Sequence, residues 1–184
     1  KGKTIWTRCS SERMINMAEF KQISPFDLQG NPISMIAKDW ALVTARREDE
    51  VNTMTISWGG VGCLWNKPVA FVFVRHHRHT YLFTEAADGF SVSFFDESWR
   101  KALAYCGSVS GRDEDKIAHC GFTTLLEDGV PYFAEASTVL ICKKLYAQDL
   151  EEEIALSPVF TDQYPEKDYH RMYVGEITKV LVKE

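Results

Sequence analysis

The sequence predicts a mainly β, mostly antiparallel barrel interrupted by short helices. Three observations carry that prediction. Segments rich in Val, Ile, Phe, Thr and Tyr recur between turn residues. The helical patterns among them are short and bounded by capping residues and glycines. The chain also closes on a long β-rich run, whereas a doubly wound parallel sheet alternates strand and helix throughout. With 184 residues, 45% of them hydrophobic, and no repeat or low-complexity tract, the chain can bury a substantial core as one domain over residues 1–184. Residues 1–16 lack clear periodicity and read as a tag or extension, with Met17 as a natural start, and residues 17–39 lead into the first clear strand.

In chain order, strands are expected at 40–45, 53–58, 69–75, 89–95, 138–145 and 172–182. The run TMTISW at 53–58 alternates, so one face can enter the core while Thr53, Thr55 and Ser57 share the other. Residues 69–74 are almost continuously apolar, the pattern of a strand covered on both sides. Thr80 can cap a helix over 81–87 that Gly89 ends. Asp96 or Ser98 can open a second over 99–105, stopping at Gly107, and a third over 113–119 ends at Gly121. The acidic, Pro-containing stretch 149–168 reads as a long surface connection, of a length that serves lids and interface arms.

Composition narrows the function classes. A net charge of -5 argues against nucleic acid or an acidic membrane as the main partner. No apolar run reaches the length that spans a bilayer, and the start lacks the layout of a secretory signal. Cys9, Cys63, Cys106, Cys120 and Cys142 form no CxxC pair and have no His partners at metal spacing; an odd count without a secretion signal predicts reduced thiols in the cytoplasm. GxSxG, HExxH, Walker and GxGxxG sequences are absent. The run Gly59-Gly60-Val61-Gly62 follows a strand without a helical pattern behind it, so it reads as a flexible loop rather than a phosphate loop.

Polar groups gather instead on three segments. Asn52, Thr53, Met54, Thr55 and Ser57 offer backbone N–H groups and hydroxyls, suited to the edge of a planar heterocycle or simply to solvent. Arg75, His76, His77, Arg78, His79 and Thr80 put two arginines and three histidines at a helix start, a setting for a phosphate monoester. HHxH in one loop without carboxylate or Cys spacing reads as a basic loop rather than a metal site. Gly107, Ser108, Ser110, Gly111 and Arg112, with Lys116 further on, make a second hydroxyl-rich basic turn. That turn is either a helix–helix connection or the other half of a cradle for a phosphorylated ligand.

Three blocks in order, NTMTISWGGVGCLWNKPVAFVFVRHHRHTYLF, FSVSFFDESWRKALAYCGSVSGRDEDK and YHRMYVGEITKVLV, resemble the flavin reductase-like, FMN-binding split-barrel family. The resemblance runs from about residue 40 to the C-terminus, with 25–36 as a lead-in. It implies a mostly antiparallel split β-barrel and an obligate homodimer with FMN in a cleft near the interface. Asn52 to Ser57 would lie along the isoalloxazine and ribityl chain, largely through backbone. Arg75, Arg78, Thr80, Gly107, Ser108, Ser110, Gly111, Arg112 and Lys116 would supply ribityl and phosphate contacts. His76 stands where the family often has proline, and His79 where it often has an aromatic residue.

The same resemblance implies an NAD(P)H-dependent flavin oxidoreductase whose chemistry is borne by the flavin, with no side chain needed as acid or base. Its acceptor would be a second flavin or a redox protein. An FMN-bearing electron carrier of the flavoredoxin type, with little NAD(P)H activity, is a second reading, and a non-redox scaffold a third. His170 and Tyr173 either approach the site, from the same or the partner subunit, or pack at the dimer interface. Cys106 reads as an inert buried thiol.

Overall fold

The computed structural model describes residues 19–184; residues 1–16, Met17 and Cys9 lie outside the described residues. The chain opens with β1 (Phe20–Ile23) and a one-turn helix, α1 (Pro32–Ser34), whose cap Asn31 accepts from two backbone N–H groups before a π-turn over Met35–Asp39. Four strands follow, β2 (Ala41–Arg47), β3 (Glu50–Ile56), β4 (Gly59–Leu64) and β5 (Lys67–Arg75), then α2 (His79–Ala86) and β6 (Gly89–Phe94). Next come α3 (Arg100–Ser108), α4 (Lys116–Cys120) and a separate hairpin of β7 (Thr124–Glu127) and β8 (Val130–Phe133). β9 (Thr138–Asp149), α5 (Pro158–Gln163) and β10 (His170–Lys183) complete the chain.

One antiparallel sheet runs in the order β3-β2-β6-β9-β10-β5-β4, with β1 also pairing β10. Met54 and Ile56 of β3 share a core with Ala70, Val72 and Val74 of β5, although those strands stand near opposite ends of the order. The sheet must therefore curl, and it stays unzipped between β3 and β4, which no ladder joins. Among the described residues β3 is an edge strand, with β2 as its one strand partner. A second core lies on the outer face, where Leu103 and Cys106 of α3, Phe122 and Phe133 pack on Leu42, Val139 and Ile141. β6 is covered on both sides: Phe90, Val92 and Phe94 enter the barrel, while Ser91 turns outward to donate to the Pro131 carbonyl.

Several local expectations need correction. Gly59–Leu64 is a strand, not a loop, because a two-residue turn at Trp65 and Asn66 (φ 52° and 59°) returns it onto β5 in register. β5 is covered fully on one face only: Ala70, Val72 and Val74 enter the core, whereas on the other face Val69 is buried but Phe71 and Phe73 are only partly so. α2 begins at His79 with Arg78 as its cap, and Thr80 sits in the first turn, its hydroxyl taken by Asn52. α2 ends at Ala86, while Gly89 opens β6. α3 runs through Gly107 to Ser108, and Gly121, in the left-handed region at φ 74°, closes α4 as expected. The 149–168 stretch holds a 3-10 turn at Glu152–Ile154 and α5. No helix among the described residues is long and apolar enough to cross a membrane.

Gly175 sits at a tight point of the barrel wall, against side chains of its interior. It sits at a register shift between β10 and β9, and a β-carbon there would lie 2.7 Å from Cζ of Phe90 and 2.8 Å from Cβ of Cys142. Gly175→Ala is expected to destabilise the fold by about 1–3 kcal/mol through overpacking, read as a lower urea midpoint; an unchanged midpoint would refute this packing account.

Candidate functional site

The site lies where the barrel is unzipped, and it has two halves. The first is a cleft of about 220 Å³ between the end of β3 (Met54, Thr55, Ile56, then Ser57 and Trp58) and Phe73, Arg75 and His170. The second, of about 300 Å³, lies between the β5–α2 loop (His77, Arg78, His79, Thr80) and the turn after α3, with Ser108, Ser110, Gly111, Arg112 and Lys116 on its wall. Met54 and Arg78 line both, so the two form one groove.

The basic half is held by cross-ties between its two loops. Arg78 donates from Nη1 to the Gly107 carbonyl at 2.9 Å, and Arg112 donates from Nη1 to the His77 carbonyl at 2.9 Å. Lys116, the first residue of α4, is 4% exposed and donates to the carbonyls of Cys106 and Val109, each at 2.9 Å. Among the described residues no carboxylate lies within ion-pair distance of that ammonium. Burial lowers its pKa below the usual lysine value. Asn52, buried on β3, donates to Thr80 Oγ1 at 2.9 Å and so locks the strand to α2. Gly111 presses on that same Asn52: a β-carbon there would fall 3.0 Å from Cγ and 3.3 Å from the His79 ring. Among the described residues Nδ1 of His79 is buried without a hydrogen-bond partner at this wall, and burial followed by the Arg112 charge lowers the pKa of the ring.

The other half is aromatic and closely gated. Trp58, 43% exposed, lies against His170 with ring centroids 5.1 Å apart. His170 Nδ1 and Tyr164 OH are hydrogen-bonded at 2.8 Å, which fixes the ring against the segment after α5. Burial, reinforced by Arg75, pulls the His170 pKa down to about 4. Arg75 holds the segment after α5 in place: it ion-pairs with Asp168, donates to the Gln163 carbonyl at 3.2 Å and sits over the Tyr164 ring at 5.3 Å.

The residues expected from sequence therefore divide. Met54, Thr55, Ser57, Arg78, Thr80, Ser108, Ser110, Gly111, Arg112, Lys116 and His170 line the groove. Arg75 lines only the aromatic half and is engaged by Asp168, away from the basic wall. Gly107 contributes its carbonyl to Arg78, and Asn52 acts from behind. Thr53 is fully buried, accepting from Thr44 Oγ1 at 2.9 Å and donating to the Val43 carbonyl, so its hydroxyl meets neither solvent nor groove. Thr55 gives its hydroxyl to the Leu103 carbonyl. Tyr173 is in neither expected place: it is buried inside the barrel with its hydroxyl on Glu85 at 2.6 Å. It stands three residues from His170 on one strand, and strand parity sends the two to opposite faces.

The loop histidines diverge rather than converge. His76 meets Asp149 at 2.9 Å, His77 lies 3.6 Å from Asp168, and His79 packs edge-on against Phe83. Trp58 and Phe73 line the groove, and Tyr164 and Asp168 hold His170 and Arg75 from behind it; sequence reasoning named none of the four as site residues. Trp58 could have been found at the end of its strand, whereas Asp168 meets Arg75 across 93 residues with no local signal.

A model of the flavin reductase like domain matches residues 33–184. Among solved structures, an FMN-binding domain of a flavin reductases-like enzyme from Shewanella baltica OS155 is similar, with a TM-score of 0.66 at 18% identity over 90% of this chain and 78% of that one. Flavoredoxin from Methanosarcina acetivorans gives a TM-score of 0.62 at 25% identity, over 79% of this chain and 69% of that one. An FMN-binding protein from Thermus thermophilus with bound p-hydroxybenzaldehyde gives 0.64 at 20% identity, over 98% and 83%. No curated protein sequence matches.

His170 sets a pH limit on the fold. Above the ordinary value of 6.5 its ring is neutral both folded and unfolded. Between 6.5 and about 4 only the unfolded chain takes the proton, so this contribution to stability, on the order of 3 kcal/mol, is lost as pH falls through that window. His170→Phe should therefore lose less stability than the parent between about pH 7 and pH 4.5, measured by urea midpoints. Equal losses in both proteins would sink the assignment.

Proposed function

The chain belongs to the flavin reductase-like domain family, a group of flavin-binding oxidoreductases, and from that premise we propose that its flavin is FMN, that its electrons come from NAD(P)H, and that it works as a homodimer. The buried Lys116 ammonium carries the FMN reading. A charge taken out of water and matched by no carboxylate among the described residues is best compensated by an anion. Arg78, Arg112, Ser108 and Ser110 line the same wall and supply the further donors that a phosphate monoester accepts.

The groove fits the rest of such a ligand as well. Its basic half would hold the phosphate, and the free edge of β3 by Met54 and Thr55 offers main-chain donors and acceptors to a ring with both kinds of group. Bound FMN supplies hydride-transfer chemistry of its own. The protein orients it, holds negative charge beside fixed N–H groups and keeps the aromatic half partly dry with Trp58 and Phe73. His170, kept neutral by its burial, adds a polar but uncharged ring to that half.

Dimerisation is supported by apolar surface along the same side of the barrel. Trp58, Trp65 and Tyr146 are exposed, and Phe71 and Phe73 are only partly covered. Light scattering should give twice the chain mass; a monomer with full FMN affinity would remove the dimer from the mechanism.

A second reading, an electron carrier slow with nicotinamides, is favoured by the likeness to a flavoredoxin at 25% identity. Titration of the stripped chain with FMN and with riboflavin tests the cradle first. FMN should bind far more tightly, and Lys116→Met should weaken FMN by about tenfold or more, the loss expected of a charge-assisted hydrogen bond, while leaving riboflavin unchanged. Equal binding of the two flavins would overturn the phosphate assignment. NAD(P)H oxidation that rises with added FMN supports the reductase; slow oxidation with fast exchange to a redox protein supports the carrier.

A further inference from the structure

The turn that forms the basic wall is bracketed by two thiols. Cys106 on α3 and Cys120 on α4 face each other with Sγ atoms 3.9 Å apart. Cys106 is buried and Cys120 is partly exposed. The remaining described thiols stand on other elements, Cys63 exposed on β4 and Cys142 buried inside the barrel. Every groove residue of the second basic segment, from Ser108 through Ser110, Gly111 and Arg112 to Lys116, lies between the pair. Lys116 is also fastened to one member, since it donates to the carbonyl of Cys106 itself.

We propose that Cys106 and Cys120 form a reversible disulfide that clamps the phosphate-binding wall. A disulfide needs sulfurs about 2.0 Å apart, so closing the pair asks for a movement of roughly 2 Å, within reach of side-chain rotation. Cys120 is the last residue of α4, next to Gly121, and is only partly buried, its Sγ held by nothing stronger than a 3.8 Å contact to the Ala102 carbonyl. The bond would close a loop containing the whole wall and reduce the conformations open to it. Flavin leaving the oxidised form would then have to escape a stiffer wall. This effect on FMN rests on the FMN reading above, whereas formation of the bond does not.

The chemistry balances with hydrogen peroxide as oxidant. Cys120, the accessible thiol, attacks one peroxide oxygen; the S–O bond forms, the O–O bond breaks and water leaves, giving a sulfenic acid. Cys106 then attacks the Cys120 sulfur; the S–S bond forms, the S–O bond breaks, and the departing hydroxide takes the thiol proton as a second water. Two thiols lose two electrons and two protons, and one peroxide becomes two waters. A dithiol reverses the bond by exchange. Burial pushes the Cys106 thiol up to about 12 and raises that of Cys120, so both rest protonated and the reaction is slow.

The test treats the full chain with hydrogen peroxide until exposed Cys63 is oxidised, then alkylates, digests without reductant and maps the peptides. The expected product joins Cys106 to Cys120, is two hydrogens lighter than the separate peptides and disappears with dithiothreitol. FMN titration of the oxidised chain should give a Kd about threefold or more below that of the reduced chain, with slower release. Neither Cys120→Ser nor Cys120→Ala should respond to peroxide in this way. Oxidised Cys63 without a Cys106–Cys120 link overturns the disulfide, and a link with unchanged or weaker FMN binding overturns the clamp. A reduced chain that fails to bind FMN instead overturns the FMN reading; slower hydrogen exchange over residues 107–119 after oxidation would then support the clamp, and unchanged exchange would overturn it.

Discussion

The C-terminal end of α3 is the point on which the site depends. A helix ends with carbonyls that have no partners of its own and with partial negative charge. Here the carbonyls of Cys106, Gly107 and Val109 are met by Lys116 and Arg78, brought from α4 and from the loop before α2. Arg112 returns the tie by holding the His77 carbonyl. An ammonium has three donors and a guanidinium five, so each cation keeps N–H groups beyond those spent on the backbone. The need to cap one helix thus places two positive charges on a common wall, the Arg112 tie to the opposite loop adds a third, and all are fixed before any ligand arrives. Such preorganisation lowers the ordering cost of binding.

The second determinant is the gap between β3 and β4. Closing the barrel there would have consumed the backbone edge of β3 and sealed the groove. Left open, the gap puts a main-chain edge and a basic wall side by side, joined at Met54 and Arg78. The two halves differ in character because different contacts hold them. Backbone carbonyls hold the cations on the basic side. On the aromatic side, a tyrosine and an arginine fasten the segment after α5 across the cleft.

Much of this was legible in the sequence, in proportion to how local the signals are. The clear strands and three of the helices follow from composition and turn residues, and the basic wall follows from charged and hydroxyl-bearing residues in two short runs. Lys116 was legible as a nearby cation, though not as a buried one, since burial depends on how α4 packs under α3. Arg75 looked equivalent to Arg78, but its partner Asp168 comes from a distant segment that no pattern links to it. Tyr173 was misplaced where parity along the strand would have corrected the reading. Gly59–Leu64 was missed because three glycines hid a strand defined by its partner and by the Trp65–Asn66 turn rather than by its own side chains. Thr53 shows the limit of alternation: its face is polar by sequence, yet Thr44 on β2 makes it an internal one.

The open edge of β3 bears on how the ring of the proposed FMN would be recognised. Side chains on this strand are largely spoken for, Thr53 by β2, Thr55 by the Leu103 carbonyl and Asn52 by α2. What remains for a heterocycle beside the strand is the repeating alternation of N–H and C=O, which every residue other than proline supplies. Recognition by main chain is indifferent to the residue alphabet. It depends on strand register and on the barrel holding its gap open, so under the proposed binding this strand would carry its information in geometry, and its spelling would be free to change.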